Sequence, residues 1–234
     1  MKYLAHHIIL FLLMFSVLPL MGAPKQKSAF QKGQTYFFQK KYEMAELLLQ
    51  EAVKKEPENA RAFSYLGDIF LHKKRYNGAL NLYKKSLALD PNVAENYFRL
   101  GQIYYYKKLG DLAIENFRQA LKLDKSLTFA HYHIGLCQLM LMRNKKETIA
   151  SWETYISTAP EDPQYESIRR VIELLRDPNF VIPPAGSDVS IEEALLLGGS
   201  TLTKTERTAK DRKAGNENKK TKEKLEDLYL DDDL

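Results

Sequence analysis

Four glycines, Gly33, Gly67, Gly101 and Gly135, stand 34 residues apart. A period that strict leaves a chain few options: it must build one unit several times and stack the copies. Three residues after each glycine come Tyr36, Phe70, Tyr104 and then Gln138, which breaks the aromatic rule. Twelve after it come Ala45, Ala79 and Ala113; sixteen after it, Leu49, Tyr83 and Phe117; nineteen after it, Ala52, Ser86 and Ala120. Pro57 and Pro91 close the first two units, with Lys125 in that place in the third. The fourth unit is one residue longer. Trp152, Tyr155 and Pro160 fall into register if the extra residue lies in the turn Arg143-Asn144-Lys145-Lys146.

Within each unit apolar residues recur at three- and four-residue spacing over two stretches, which predicts two amphipathic helices. Small residues such as Gly67 and Ala79 let the pair approach, and rings such as Phe70 and Tyr83 fill the space between. A proline after the second helix stops it. Gln39-Lys40-Lys41, Lys73-Lys74-Arg75 and Tyr106-Lys107-Lys108 read as the turns inside the hairpins.

These positions resemble the tetratricopeptide repeat family. The second unit carries Phe63, Leu66-Gly67, Phe70, Ala79, Tyr83, Ser86 and Pro91. The third carries Tyr97, Leu100-Gly101, Tyr104, Ala113, Phe117 and Ala120. The first departs at Lys32, where the family prefers leucine, and the fourth at Gln138 and Thr148. The resemblance covers roughly residues 26 to 162. It implies an all-α, right-handed superhelical solenoid of four helix hairpins. Tyr165, Ile168, Val171, Ile172 and Leu175 then form the stripe of a capping helix, closing an end that would otherwise face water. The solenoid with its cap spans 26–177.

The two ends differ in composition. In residues 1–23, Lys2 precedes an apolar run from Ile8 through Met21, too short to span a bilayer as a helix and suited to the core of a signal peptide. Gly22-Ala23 offers a cleavage site. The expectation is export to the periplasm or cell envelope, with an uncleaved N-terminal anchor as the alternative. Past the cap, residues 178–200 read as a linker with a short helix: Val181 to Gly186 is extended, Ser190-Ile191-Glu192-Glu193 has the form of a capping box, and Gly198-Gly199 ends the helix. Leu195 to Leu197 would seek a surface, on this solenoid or on a partner. Residues 201–224 hold nine basic and four acidic side chains with few apolar groups, which predicts disorder over 201–234. The last ten residues reverse the sign: five acids, no base, and Leu225, Leu228, Tyr229, Leu230 and Leu234.

No catalytic, cofactor-binding or metal motif is legible. There is no phosphate-cradling glycine loop, nucleophile elbow or paired-histidine motif, so the expectation is a non-enzyme without cofactor. His131 and His133, two apart on a helix, point apart. Cys137, the only cysteine, cannot form an internal disulfide and reads as a small buried hydrophobe. The net charge of +5 is spread over turns and solvent faces, which does not argue for nucleic acid.

Function is therefore expected in binding. The family resemblance implies a concave groove lined by the first helix of each hairpin. Carried over by position, the candidates are Phe30, Gln34, Phe37 and Phe38; Arg61, Ser64, Asp68, Leu71 and His72; Glu95, Phe98, Gln102, Tyr105 and Tyr106; and Phe129, Tyr132, Leu136, Leu139 and Met140. The set is aromatic and apolar at both ends and polar in the second hairpin. It lacks the lysine and asparagine clamp by which some family members hold a chaperone's C-terminal carboxylate: Phe30 and Gln34 stand in the first two places, and Glu95 brings the wrong charge. An extended or helical apolar peptide of a protein partner suits such a groove. Two further readings stay open: an assembly subunit braced in a membrane complex, and, more remotely, a cell-wall-active enzyme.

Overall fold

The computed structural model describes residues 27–196. The segment 1–23 and the tail 201–234 lie outside the described residues. Among the described residues ten helices follow one another: α1 Ala29–Phe38, α2 Tyr42–Lys55, α3 Ala60–His72, α4 Tyr76–Leu89, α5 Ala94–Tyr106, α6 Gly110–Leu123, α7 Phe129–Met140, α8 Lys145–Thr158, α9 Tyr165–Arg176 and α10 Ile191–Leu196. The first eight form four hairpins, each packed on the next, and α9 packs on α8. This is the expected solenoid with its capping helix.

The 34-residue period is visible in the turns. Lys40, Lys74, Lys108 and Arg143 all take left-handed backbone, with φ between 55° and 61°. In the first three turns the next residue's amide reaches back to the helix, as in Arg75 N–H to the Phe70 carbonyl at 2.8 Å, while Lys74 N–H bonds Leu71 at 2.8 Å. That double bond closes the helix end and reverses the chain. The fourth turn is the longer one, 141–144, and its closing bond runs from Asn144 N–H to Gln138 at 2.9 Å. The extra residue thus falls before Lys145, which already begins α8. Likewise the third turn is Lys107 to Leu109, since Tyr106 still belongs to α5.

The core is a row of compartments at the joints between hairpins. Ala45 and Leu49 of α2 meet Leu66 and Ile69 of α3. Ala79 and Tyr83 of α4 meet Leu100 and Ile103 of α5. Ala113, Phe117 and Ala120 of α6 meet Ala130, Ile134 and Cys137 of α7. In the fourth, Trp152 and Tyr155 of α8 meet Ile168, Ile172 and Leu175 of α9. A fully buried side chain of this size contributes roughly 1.5–3 kcal/mol, so every joint stabilises the stack.

Among the described residues the first hairpin has no such joint on its outer side, and its sequence fits. Positions buried against the preceding hairpin are Ala62, Leu66 and Ile69 in α3, and Ala130, Ile134 and Cys137 in α7. The corresponding residues of the first unit are Ser28, Lys32 and Thr35. Ser28 also caps α1, with its hydroxyl accepting from Gln31 N–H and the Gln31 side chain accepting from Ser28 N–H. Lys32, a departure from the repeat pattern, is therefore a polar side chain at a position that the later hairpins use for their joints.

The segment expected as a linker does more than connect. Phe180, Ile182, Ile191 and Ala194 are buried in the same cluster as Trp152, Tyr155, Ile168 and Leu175. Arg143 Nε donates to the Pro183 carbonyl at 2.9 Å. Lys145 Nζ donates to the carbonyls of Phe180 at 2.7 Å and Asp177 at 3.1 Å, and lies 5.5 Å from the Phe180 ring centre. Residues 180–194 thus form a strap fastened to the fourth turn. Ser190 accepts from Glu193 N–H at 3.1 Å and starts α10.

Candidate binding groove

The helices α1, α3, α5 and α7 touch one another along the stack besides packing on their hairpin partners. That places them on the inner side, and their exposed positions form a groove with three zones.

The first zone is aromatic and open. Phe37 is buried, and its ring centre lies 5.0 Å from Tyr65 and 5.7 Å from Phe38. Phe38 lies 5.8 Å from Tyr65, and Phe30 lies 6.1 Å from it. Gln34 Nε2 donates to the Tyr65 hydroxyl at 3.0 Å. Arg61 is exposed and stands 5.8 Å from the Phe30 ring centre. Phe38 is 67% exposed. His72, also exposed, packs on Tyr42 at 4.4 Å.

The second zone is polar. Asp68 accepts from the Tyr83 hydroxyl at 2.6 Å, and Arg99 Nε lies 3.5 Å from the same carboxylate. Arg99 Nη1 donates to Gln102 at 3.1 Å. Burial pushes the Asp68 carboxyl above its ordinary range, with Arg99 and the Tyr83 hydrogen bond opposing it. Beside this set, Ser86 donates to the Ala60 carbonyl at 2.9 Å, pairs with Ser64 at 2.9 Å and accepts from Asn96 Nδ2 at 2.9 Å. Leu71 is buried in the joint beneath, and Glu95 faces solvent.

The third zone is closed. Phe98 and Tyr132 are buried, Phe129 stacks on Tyr132 at 5.0 Å, and Tyr105 and Tyr106 are half-buried. Tyr106 stacks on Tyr76 at 5.1 Å. Leu136 and Leu139 are 2% and 1% exposed. Both belong to the cluster that includes Ile191 and Ala194 of α10, with Met140 and Tyr105 packed against it. The apolar residues of this end are thus core, whereas in the first zone Phe38 still faces outward.

Three residues lining the zones were not assigned to the groove from the sequence: Tyr65, Arg99 and His133. They share one position of the repeat, one residue after Ser64, Phe98 and Tyr132, and the period alone would have placed them beside the groove. His133 is buried among Phe98, Phe117 and Phe129 at 5.3, 5.1 and 4.8 Å, with neither ring nitrogen hydrogen-bonded among the described residues. Burial, and secondarily Arg99, lower its pKa to about 3. Burial likewise pushes the Cys137 thiol up to about 12, which disfavours the thiolate a nucleophile needs. Among the described residues no group of three metal-capable side chains converges, and no helix is long and apolar enough to cross a membrane.

Comparison with known proteins agrees with this architecture. Residues 30–94 match one family profile described as tetratricopeptide repeat, and residues 94–127 match a second of the same description. Among curated proteins no sequence match was found. Among solved structures, the crystal structure of MamA protein superposes with a TM-score of 0.57 at 23% identity, covering 63% of this chain and 78% of that one. The structure of YrrB, described as a TPR protein with an unusual peptide-binding site, superposes with a TM-score of 0.55 at 17% identity, covering 64% and 78%. These likenesses show the fold.

Proposed function

Because this chain belongs to the tetratricopeptide repeat family, a family of protein-interaction scaffolds, we propose that it binds a partner's peptide in the open part of its concave groove, and that it does so in the cell envelope. The observation that carries the groove reading is the exposure of Phe38 beside the ordered rings of Phe30, Phe37 and Tyr65. Rings already fixed by their neighbours offer contact area at low entropy cost. The polar centre at Asp68, Arg99 and Gln102 supplies direction and register to a peptide backbone lying across it. The envelope reading rests on the apolar run Ile8 to Met21. It is tested by sequencing the N-terminus of the native protein: a start near Ala23 to Lys25 supports export, and retained Met1 supports the anchored alternative.

The groove is tested by affinity capture with the full chain, run beside the double variant Phe38→Ala, Tyr65→Ala. The bait must keep residues 180–194, since they complete the core. A partner bound by the native chain and lost by the variant, with helicity unchanged by circular dichroism, supports the groove. A partner held equally by both refutes it.

A further inference from the structure

We propose that the open aromatic zone of the groove is occupied, within the same molecule, by the chain's own segment Leu225–Leu234. The inference rests on the groove reading above and names one occupant for it.

Three observations meet here. First, the rings of the first zone need a cover of matching chemistry. Phe38 is 67% exposed, and Arg61, exposed as well, stands over the Phe30 ring. The surface therefore asks for an apolar segment carrying negative charge. Leu225–Leu234 supplies four leucines, one tyrosine and five acids without a base. Second, another short segment of this chain that mixes apolar and acidic residues already shares a buried cluster with a groove-facing helix. α10, with Ile191, Ala194 and Leu195 beside Glu192 and Glu193, shares the buried cluster of Leu136 and Leu139 at the other end of the groove-facing helices. Third, the reach suffices. The groove-facing helices of neighbouring hairpins lie about 10 Å apart, so the first zone is about 30 Å from the fourth hairpin. The 28 residues from 197 to 224 can span up to about 90 Å.

An occupant tethered in cis competes at high effective concentration with any external peptide. The bound tail thus sets a threshold that a partner must exceed. Its attraction is partly electrostatic, so it weakens with salt as the screening length falls from about 10 Å at 0.1 M to about 3 Å at 1 M.

The test uses the full chain with p-benzoylphenylalanine in place of Phe38. After irradiation and trypsin, mass spectrometry should find Gly33–Lys40 joined to Leu225–Leu234. Mixing heavy-isotope and ordinary chains should give only unmixed products. The yield should fall about fivefold or more when Leu228 and Leu230 are changed to Ala, a loss of about 1 kcal/mol or more, and it should also fall in 1 M salt. Absence of the product, or a yield unmoved by the leucine changes, overturns the proposal. Mixed heavy–light products in statistical proportion overturn its intramolecular form. The groove reading fails separately: a partner captured equally with and without the Phe38 and Tyr65 changes refutes it even where the tail product forms. Conversely, a partner lost on those changes from a chain that gives no tail product overturns the tail assignment alone.

Discussion

Gly135 and Trp152 are in direct contact. A Cβ on residue 135 would stand 2.4 Å from Cδ1 and Nε1 of the indole, which is pinned in place by its N–H bond to the Tyr132 carbonyl at 2.9 Å. The same relation recurs between Gly101 and Phe117 at 2.6 Å, Gly67 and Tyr83 at 2.9 Å, and Gly33 and Leu49 at 2.9 Å. The period of glycines is thus the footprint of a large side chain laid over each first helix by the second. Gly135→Ala should therefore destabilise by about 2–3 kcal/mol through overpacking, despite the ~1 kcal/mol that alanine gains in helix propensity. Gly33→Ala should cost less, because the Leu49 side chain can change rotamer. Urea unfolding of the four alanine variants checks the order, and a Gly135→Ala protein as stable as the parent would refute the account.

His133 makes stability depend on acid. Its folded pKa lies near 3, depressed from the ordinary histidine value of about 6.5 by burial and then by Arg99. Neutral imidazole is favoured in the folded state, so the contribution is fully present above pH 6.5 and is lost as pH falls toward 3. The slope is about 1.4 kcal/mol per pH unit for one proton. Asp68, whose carboxyl is raised, works with the opposite sign, so the comparison must be between variants. Between pH 7 and pH 5 the native chain should lose about 2 kcal/mol more than His133→Phe. Denaturant titrations at the two pH values measure it, and equal losses would remove His133 from the explanation.

Lys74 is exposed and held at φ 56°. A side chain there costs about 1–2 kcal/mol in sterics, partly offset by the larger unfolded-state entropy of glycine. Lys74→Gly should raise stability by about 0.5–1 kcal/mol, whereas Lys74→Val should lower it. Thermal melts of the two variants decide the matter, and a Gly variant less stable than the parent would show that the lysine has a use beyond the turn.

Asp68 is the acceptor for the fully buried Tyr83 hydroxyl at 2.6 Å. Asp68→Ala should cost about 1–3 kcal/mol by orphaning that donor, while Asp68→Asn keeps a carbonyl acceptor and should cost less. A stability series at pH 7 tests the ranking, and equal effects for the two substitutions would mean that the hydrogen bond is not the cause.

Much of this architecture was legible in the sequence because a repeat measures itself. The four hairpins repeat one spacing, with a single extra residue in the fourth, so helices, turns and the glycine contacts could be placed by register. The strap could not. Phe180, Ile182, Ile191 and Ala194 have no common period, and Pro183-Pro184 reads as extended chain, so nothing local shows that they share one buried cluster. The groove was legible by position but not by openness. Phe38 and Leu136 were placed in it on the same grounds, yet one is 67% and the other 2% exposed, because exposure depends on the strap and the cap. Arg99 escaped notice for a related reason: its partner Asp68 is 31 positions earlier in the chain, and only stacking of the hairpins sets them 3.5 Å apart.

The clasp of Arg143 and Lys145 on the carbonyls of Pro183, Phe180 and Asp177 also gives the solenoid a mechanical polarity. A pull applied through residue 196 is borne by the strap and its three fastenings before it can peel α9 from α8. Among the described residues, a pull at residue 27 meets only α1, whose outer face has no joint to break. Under load the described residues should therefore unzip from the first hairpin toward the fourth, with the anchored end yielding last.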